Sequence, residues 1–139
     1  METSKYIHTV QYYETDKMGI THHSNYIRWM EEARVDFLNQ IGWPFDKLEA
    51  LGIVSPVLNV SCDYKISTGF AERITITVGV KEFKGVKLFL SYTMDNEEGK
   101  VVCTGTTSHA FLNNQGRPIR MKQEYPEFYQ CLMSMVEGK

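Results

Sequence analysis

The stretch ETDKMGITHHSNYIRWMEEAR, residues 14–34, decides the reading of this chain. It begins as an acidic turn containing Gly19 and two adjacent histidines, then changes period. From Ser24 onward Tyr26, Met30, Ala33, Phe37 and Ile41 recur at intervals of three and four, with Ile27, Trp29 and Leu38 flanking them. That spacing predicts an amphipathic helix, with Arg28, Glu31, Glu32, Asp36, Asn39 and Gln40 on its solvated side. Ser24 is a plausible N-cap. Gly42 suits the left-handed position after the helix, and Pro44 blocks continuation.

Outside this helix the pattern is mostly of strands. Tyr6, His8, Val10 and Tyr12 alternate with Ile7, Thr9, Gln11 and Tyr13, a β-branched and aromatic run that reads as a first strand. FDKLEALG, residues 45–52, predicts a short helix. Alternation then marks strands over 60–67, 74–81, 87–94 and 101–112, separated by the turn sequences FKGVK and DNEEGK and closed by NNQGRP. Residues 122–136 predict a terminal helix with Tyr125, Phe128, Tyr129, Leu132 and Val136 on one side. Short turns between strands favour an antiparallel meander, since parallel neighbours need long crossovers. The long helix must bury its apolar face, and the concave side of a curved sheet is the one large partner available. The expected architecture is α+β: an antiparallel five-stranded sheet wrapped around a long central helix, plus a C-terminal helix, in a single domain over 1–139. An open sheet leaves edges to cover, and edge pairing with a second copy would cover one of them.

Composition narrows the function. The 139 residues carry a formal net charge of −2 and are 42% hydrophobic. This balance offers no electrostatic footprint for nonspecific nucleic-acid binding, and no apolar run is long enough to span a bilayer. No signal-peptide core opens the chain, so the default location is cytoplasmic. Three cysteines, Cys62, Cys103 and Cys131, form no CxxC pair, so neither a disulfide framework nor a zinc site is indicated. Cys62 and Cys103 read as core residues.

The chemistry concentrates where the turn meets the helix. A helix N-terminus offers unpaired N–H groups and a partial positive charge. Near His23 and Ser24 these groups can stabilise the oxyanion that develops in acyl transfer, where losing one donor typically costs about 10²- to 10³-fold in rate. Asp16 lies just before them. A carboxylate there can attack a carbonyl or take a proton from an attacking water. It is a weak nucleophile and a weak base, and so suits an activated acyl group such as a thioester. The competing reading makes Asp16 an ordinary turn residue, Glu31 and Glu32 a solvated face, and Lys81, Lys84 and Lys87 edge charge, although that lysine cluster can also meet phosphates. Adjacent His22 and His23 with Asp16 are a poor chelating set.

Asp16, Gly19 three residues on, His23 seven on and Tyr26 ten on, entering a helix, resemble the signature of the hot-dog fold acyl-CoA thioesterases of the 4-hydroxybenzoyl-CoA thioesterase family. The stretches VSPVLNVSCDYKISTGFAERITITVGV and VVCTGTTSHAFLNNQGRP are also similar to later strands of that family. The resemblance implies hydrolysis of an acyl-CoA to a carboxylic acid and free coenzyme A, no cofactor or metal, and a homodimer or homotetramer with active sites at a subunit interface. It implies Asp16 as the catalytic carboxylate, with His23 at the polarising helix end and Gly19, His22 and Tyr26 in the substrate site. Lys65 and Thr68 are weaker candidates on the strand that approaches the site. His22 stands where the family often has an aromatic residue, and Met18 where it often has a small one. Two other functions compete: a hydratase or dehydratase of acyl thioesters on the same scaffold, and a non-catalytic acyl-CoA binding module.

Overall fold

The computed structural model describes residues 3–137. Its elements are β1 (Tyr6–Thr9), α1 (Ser24–Gln40), α2 (Phe45–Ala50), β2 (Val57–Tyr64), β3 (Arg73–Phe83), β4 (Lys87–Asp95), β5 (Val101–Ala110), α3 (Met121–Glu124) and α4 (Pro126–Ser134). The five strands form one antiparallel sheet in the order β1-β3-β4-β5-β2. A meander therefore exists only over β3, β4 and β5. β2 crosses to the far edge and pairs with β5, Val60 opposite Thr107 and Tyr64 opposite Cys103. The meander expectation fails at both edges: α1 and α2 separate β1 from β2 along the chain, and residues 65–72 carry it from β2 at one edge to β3 beside β1 at the other.

The helix follows its periodicity. Tyr26, Trp29, Met30, Ala33, Phe37 and Leu38 are all buried, against Ile74, Ile76, Leu90, Met94 and Cys103 of the sheet. Close approach to β5 depends on Gly105. A Cβ there would meet Met30 Cε at 2.2 Å and the Ser61 carbonyl oxygen at 2.9 Å, so no larger residue fits without displacement. At the C-terminus Gly42 adopts φ +88°. The Trp43 N–H then donates to the Leu38 carbonyl at 2.9 Å, the six-to-one bond of a Schellman ending.

Four local expectations are corrected. Ser24 is the first helical residue, not the cap; His23 holds the cap position in helical geometry without a side-chain cap bond. The first strand stops at Thr9, because Gln11 opens a 3-10 turn over Tyr12–Glu14 whose backbone is closed by the Glu14 side chain. The terminal helix is two short ones, since Pro126 cannot continue α3 and instead starts α4. Phe128 of α4 stacks on Trp43, with ring centroids 4.6 Å apart, and closes one end of the core. Finally, Glu32 is half-buried and not merely solvated: its Oε1 accepts from Tyr6 Oη and lies 2.8 Å from His8 Nδ1.

Candidate active site

The turn before α1 is held from three sides. The Asp16 N–H donates to the Ile20 carbonyl at 2.9 Å, and the Gly19 N–H returns to the Asp16 carbonyl at 2.9 Å. Gly19 sits at φ +79°, a conformation that side chains resist, so glycine closes this turn at least strain. The Asp16 side chain takes part as well: Oδ1 accepts the Met18 N–H at 2.8 Å. Asp16 is thus a turn residue with one carboxylate oxygen. The other, Oδ2, makes no hydrogen bond within the described residues.

Glu14 anchors the entrance to this loop. It is 4% exposed. Oε1 accepts the Gln11 N–H at 2.8 Å and lies 2.8 Å from His8 Nε2, while Oε2 accepts the Trp29 indole N–H at 2.8 Å. Burial alone would raise the Glu14 pKa; the hydrogen bonds from Gln11, His8 and Trp29 outweigh it and hold the carboxyl below its ordinary value of 4.5. His8 stands between Glu14 and Glu32, each 2.8 Å from a different ring nitrogen. The Glu14 carbonyl accepts from the His22 N–H at 2.8 Å and from Asn25 Nδ2 at 3.0 Å, which ties the loop to the first turn of α1.

A cavity of about 310 Å³ opens between this loop, the start of α1 and the end of β2. Asp16, His23, Tyr26, Tyr64, Lys65 and Thr21 line it, together with Met18, Ile20, Ile66 and Ser67. The helix amides at its wall are not equivalent. Asn25 N–H donates to the His22 carbonyl and Tyr26 N–H to the His23 carbonyl, at 3.0 and 3.3 Å. Ser24 N–H reaches only His22 Nδ1, at 3.3 Å. His23 N–H makes no hydrogen bond among the described residues. The free donor at the helix mouth therefore belongs to His23, a residue of the same cavity as Asp16.

The remaining sequence candidates take distinct places. Tyr26 lines the cavity with its ring, and its hydroxyl is 3.0 Å from Thr68 Oγ1. Thr68 is 1% exposed, also contacts Thr21 Oγ1 at 2.6 Å, and stands behind Tyr26 without lining the cavity. His22 stacks on His23 at 4.3 Å on the exposed side, its Nδ1 engaged with Ser24 Oγ at 2.9 Å. Lys65 lies on the cavity wall, whereas Lys84 is paired with Glu82 at 3.0 Å on the distant β3–β4 turn. Among the described residues no three His, Cys, Asp or Glu side chains converge on a metal-sized site.

Sequence reasoning missed Tyr64. Its hydroxyl donates to the His23 carbonyl at 3.3 Å, and its ring lies 5.1 Å from that of Tyr26. It was legible only as a core-facing member of an alternating strand, yet β2 ends there and leaves the ring 48% exposed at the cavity. Burial pushes the Tyr64 phenol up to about 12 and raises that of Tyr26, so both stay protonated at neutral pH and act as neutral hydrogen-bonding groups. A larger open concavity of about 650 Å³ lies on the outer side of α1. Glu31, Glu32 and Asp36 line it with Arg28, an acidic surround unsuited to an anionic ligand.

A long helix wrapped by five antiparallel strands is the hot-dog fold. The chain belongs to the thioesterase-like superfamily, whose family model matches residues 10–130. It is 29% identical over 130 residues to YneP of Bacillus subtilis (strain 168), a protein provisionally named an acyl-CoA thioesterase; the match covers 93% of this chain and 94% of that one. Among solved structures, a DHNA-CoA thioesterase from Staphylococcus aureus superposes with a TM-score of 0.89 at 30% identity, covering 94% of this chain and 89% of that one. The gentisyl-coenzyme A thioesterase BH1999 superposes with a TM-score of 0.79 at 26% identity, covering 86% and 97%.

Proposed function

We propose that this protein hydrolyses an acyl-CoA in the cavity between Asp16 and the start of α1, releasing a carboxylic acid and coenzyme A. The observation that carries this is that Asp16, with one carboxylate oxygen unused, and His23, with its N–H unpartnered, line one cavity. The thioester carbonyl oxygen accepts from His23 N–H at the positive end of α1. Asp16, through Oδ2, either adds to the carbonyl carbon and displaces the thiolate, the acyl-enzyme then being opened by water, or takes a proton from a water that attacks directly. Either route ends with carboxylic acid and thiol. Tyr26 and Tyr64 give the substrate an aromatic wall, and Lys65 supplies positive charge there for coenzyme A phosphates. Gly19 and Glu14 hold the geometry. The relatives named for DHNA-CoA and gentisyl-CoA favour an aromatic acyl group.

The active form is a homodimer, which can pair further into a tetramer. β2 is an eight-residue edge strand carrying exposed Val57, Leu58 and Tyr64, with exposed Ile66 two residues beyond it, an edge that a second copy would cover by antiparallel pairing. Because Tyr64 and Ile66 also line the cavity, the same contact would close the site. Such an enzyme works in the cytoplasm and needs no cofactor beyond the coenzyme A of its substrate. The test is a thiol-release screen across aromatic and short aliphatic acyl-CoAs, run alongside an assay for double-bond hydration. Thiol release on at least one acyl-CoA supports the reading. Hydration without thiol release, or binding without either reaction, refutes it.

A further inference from the structure

A second cavity, of about 250 Å³, follows the first along the seam between α1 and β2 and shares no lining residue with it. Ile27, Met30, Val57 and Val60 give it an apolar wall, Arg34, Tyr92, Thr107 and His109 supply its buried polar part, and Arg28 and Glu31 stand at its rim. Arg34 is 6% exposed, yet no side chain or carbonyl in the described residues accepts a hydrogen bond from its guanidinium. Its contacts are the exposed Glu31 carboxylate, 4.0 Å away, and the face of Phe45, 4.9 Å from the ring centroid. A buried cation with five donors and no acceptor is costly to the fold, because desolvation is not repaid.

The neutral polar groups around it are linked to one another. Tyr92 Oη and Thr107 Oγ1 are 2.8 Å apart, and Thr107 Oγ1 is 2.7 Å from His109 Nε2. His109 is 1% exposed and its Nδ1 has no partner. Burial, with the Arg34 charge second, lowers the His109 pKa to about 3, so the ring is neutral. A neutral ring leaves one nitrogen to donate and one to accept, so Nε2 serves the Thr107 contact and Nδ1 is the polar atom left over for a ligand. The negative charge that faces Arg34 from this cavity is the Glu31 carboxylate, which is largely exposed and, at 4.0 Å, accepts no hydrogen bond from the guanidinium.

We propose that this cavity is a binding site for a carboxylate carried on a small apolar body, with Arg34 as its bidentate partner. The planar guanidinium matches a carboxylate's two oxygens, and the wall of Ile27, Met30, Val57 and Val60 takes the apolar remainder. The carboxylate has two sources: the far end of an acyl group still joined to coenzyme A, or a free carboxylic acid such as the product of hydrolysis. Binding of a free acid is read without turnover, so the proposal stands or falls apart from the thioesterase mechanism.

The experiment is calorimetric titration of the intact, unliganded protein with benzoate and, separately, with its neutral isostere benzamide. Benzoate is expected to bind at least tenfold more tightly than benzamide, and Arg34→Met to abolish that preference. Arg34→Met is also expected to melt no lower than the parent and to keep its oligomeric state, since it removes an unpaired buried charge. Thr107→Val, which breaks the link between Tyr92 and His109 and keeps the volume, is expected to weaken benzoate binding severalfold. The source is read from kcat/KM for a carboxyaryl-CoA against its methyl ester. A preference for the charged end that disappears in Arg34→Met assigns the acyl group, and benzoate binding without such a preference assigns a free acid. Equal binding of benzoate and benzamide, or unchanged benzoate binding in Arg34→Met, would overturn the proposal. So would a lower melting temperature or loss of assembly in Arg34→Met, because Arg34 would then be paired for stability.

Discussion

Replacing Glu14 by glutamine tests how the active-site loop is held. The carboxylate serves three donors, two on Oε1 from Gln11 N–H and His8 and one on Oε2 from Trp29. An amide has one oxygen and one NH₂ group. With its oxygen at the Oε1 position, the NH₂ opposes the indole N–H of Trp29, donor against donor. With the oxygen at Oε2, the Gln11 and His8 donors are both abandoned. The first arrangement loses less. It forfeits the Trp29 bond, leaves that buried N–H unpaired at about 1–3 kcal/mol, and removes the charge facing His8. Hydrogen bonds to a charged acceptor carry about 1.5–3 kcal/mol each, so losing the Trp29 bond and weakening those from Gln11 and His8 costs about 3–5 kcal/mol in all. For a chain of this size that is a fall in melting temperature of about 10–20 °C, measurable by differential scanning calorimetry at pH 7. The same substitution loosens the Glu14 carbonyl that takes His22 N–H and Asn25 Nδ2, so kcat is expected to fall with little change in KM. A melting temperature within about 2 °C of the parent would refute the claim that this carboxylate anchors the loop.

Three further outcomes follow from the same structure. Folding lowers the Glu14 pKa, so its contribution to stability is complete above about pH 4.5 and is lost as pH falls through the lowered value; acid titrations of parent and Glu14→Gln, followed by circular dichroism, are expected to differ in that range. Gly105→Ala places a Cβ against Met30 Cε and the Ser61 carbonyl and is expected to cost about 1–3 kcal/mol in urea unfolding, because overpacking displaces α1 from the sheet. Tyr26→Phe removes the hydroxyl beside Thr68 but leaves the Thr68–Thr21 contact intact, so a loss of about 1 kcal/mol of stability is expected in the same assay.

The fold was legible wherever one period governed a long segment. The three- and four-residue spacing from Tyr26 to Ile41 specifies α1 because one helix face is wholly buried, and alternation over β3 and β4 specifies strands with one buried face. Strand order was not legible. Alternation says which face of β2 is inward, not which neighbour it pairs with, and β2 carries so much exposed apolar surface that its own pattern is weak. In the site, Asp16, Gly19, His23 and Tyr26 lie within one short local motif, and local spacing reaches them. The roles of Glu14, His8 and Tyr64 depend on contacts across the chain. His8 and Glu14 look like a strand residue and a surface acid until β1, the loop and α1 come together around Trp29.

The central claim is that the Asp16 carboxylate and the His23 N–H act together on a thioester. Asp16→Asn changes one atom of the side chain and preserves an acceptor for Met18 N–H. On the best acyl-CoA from the screen, thiol release and acyl-CoA affinity should be measured on the same preparations of parent and variant. The account predicts affinity within a few-fold of the parent and turnover lower by about 10³-fold or more, as expected for loss of a catalytic base or nucleophile. Turnover by Asp16→Asn close to that of the parent would contradict it.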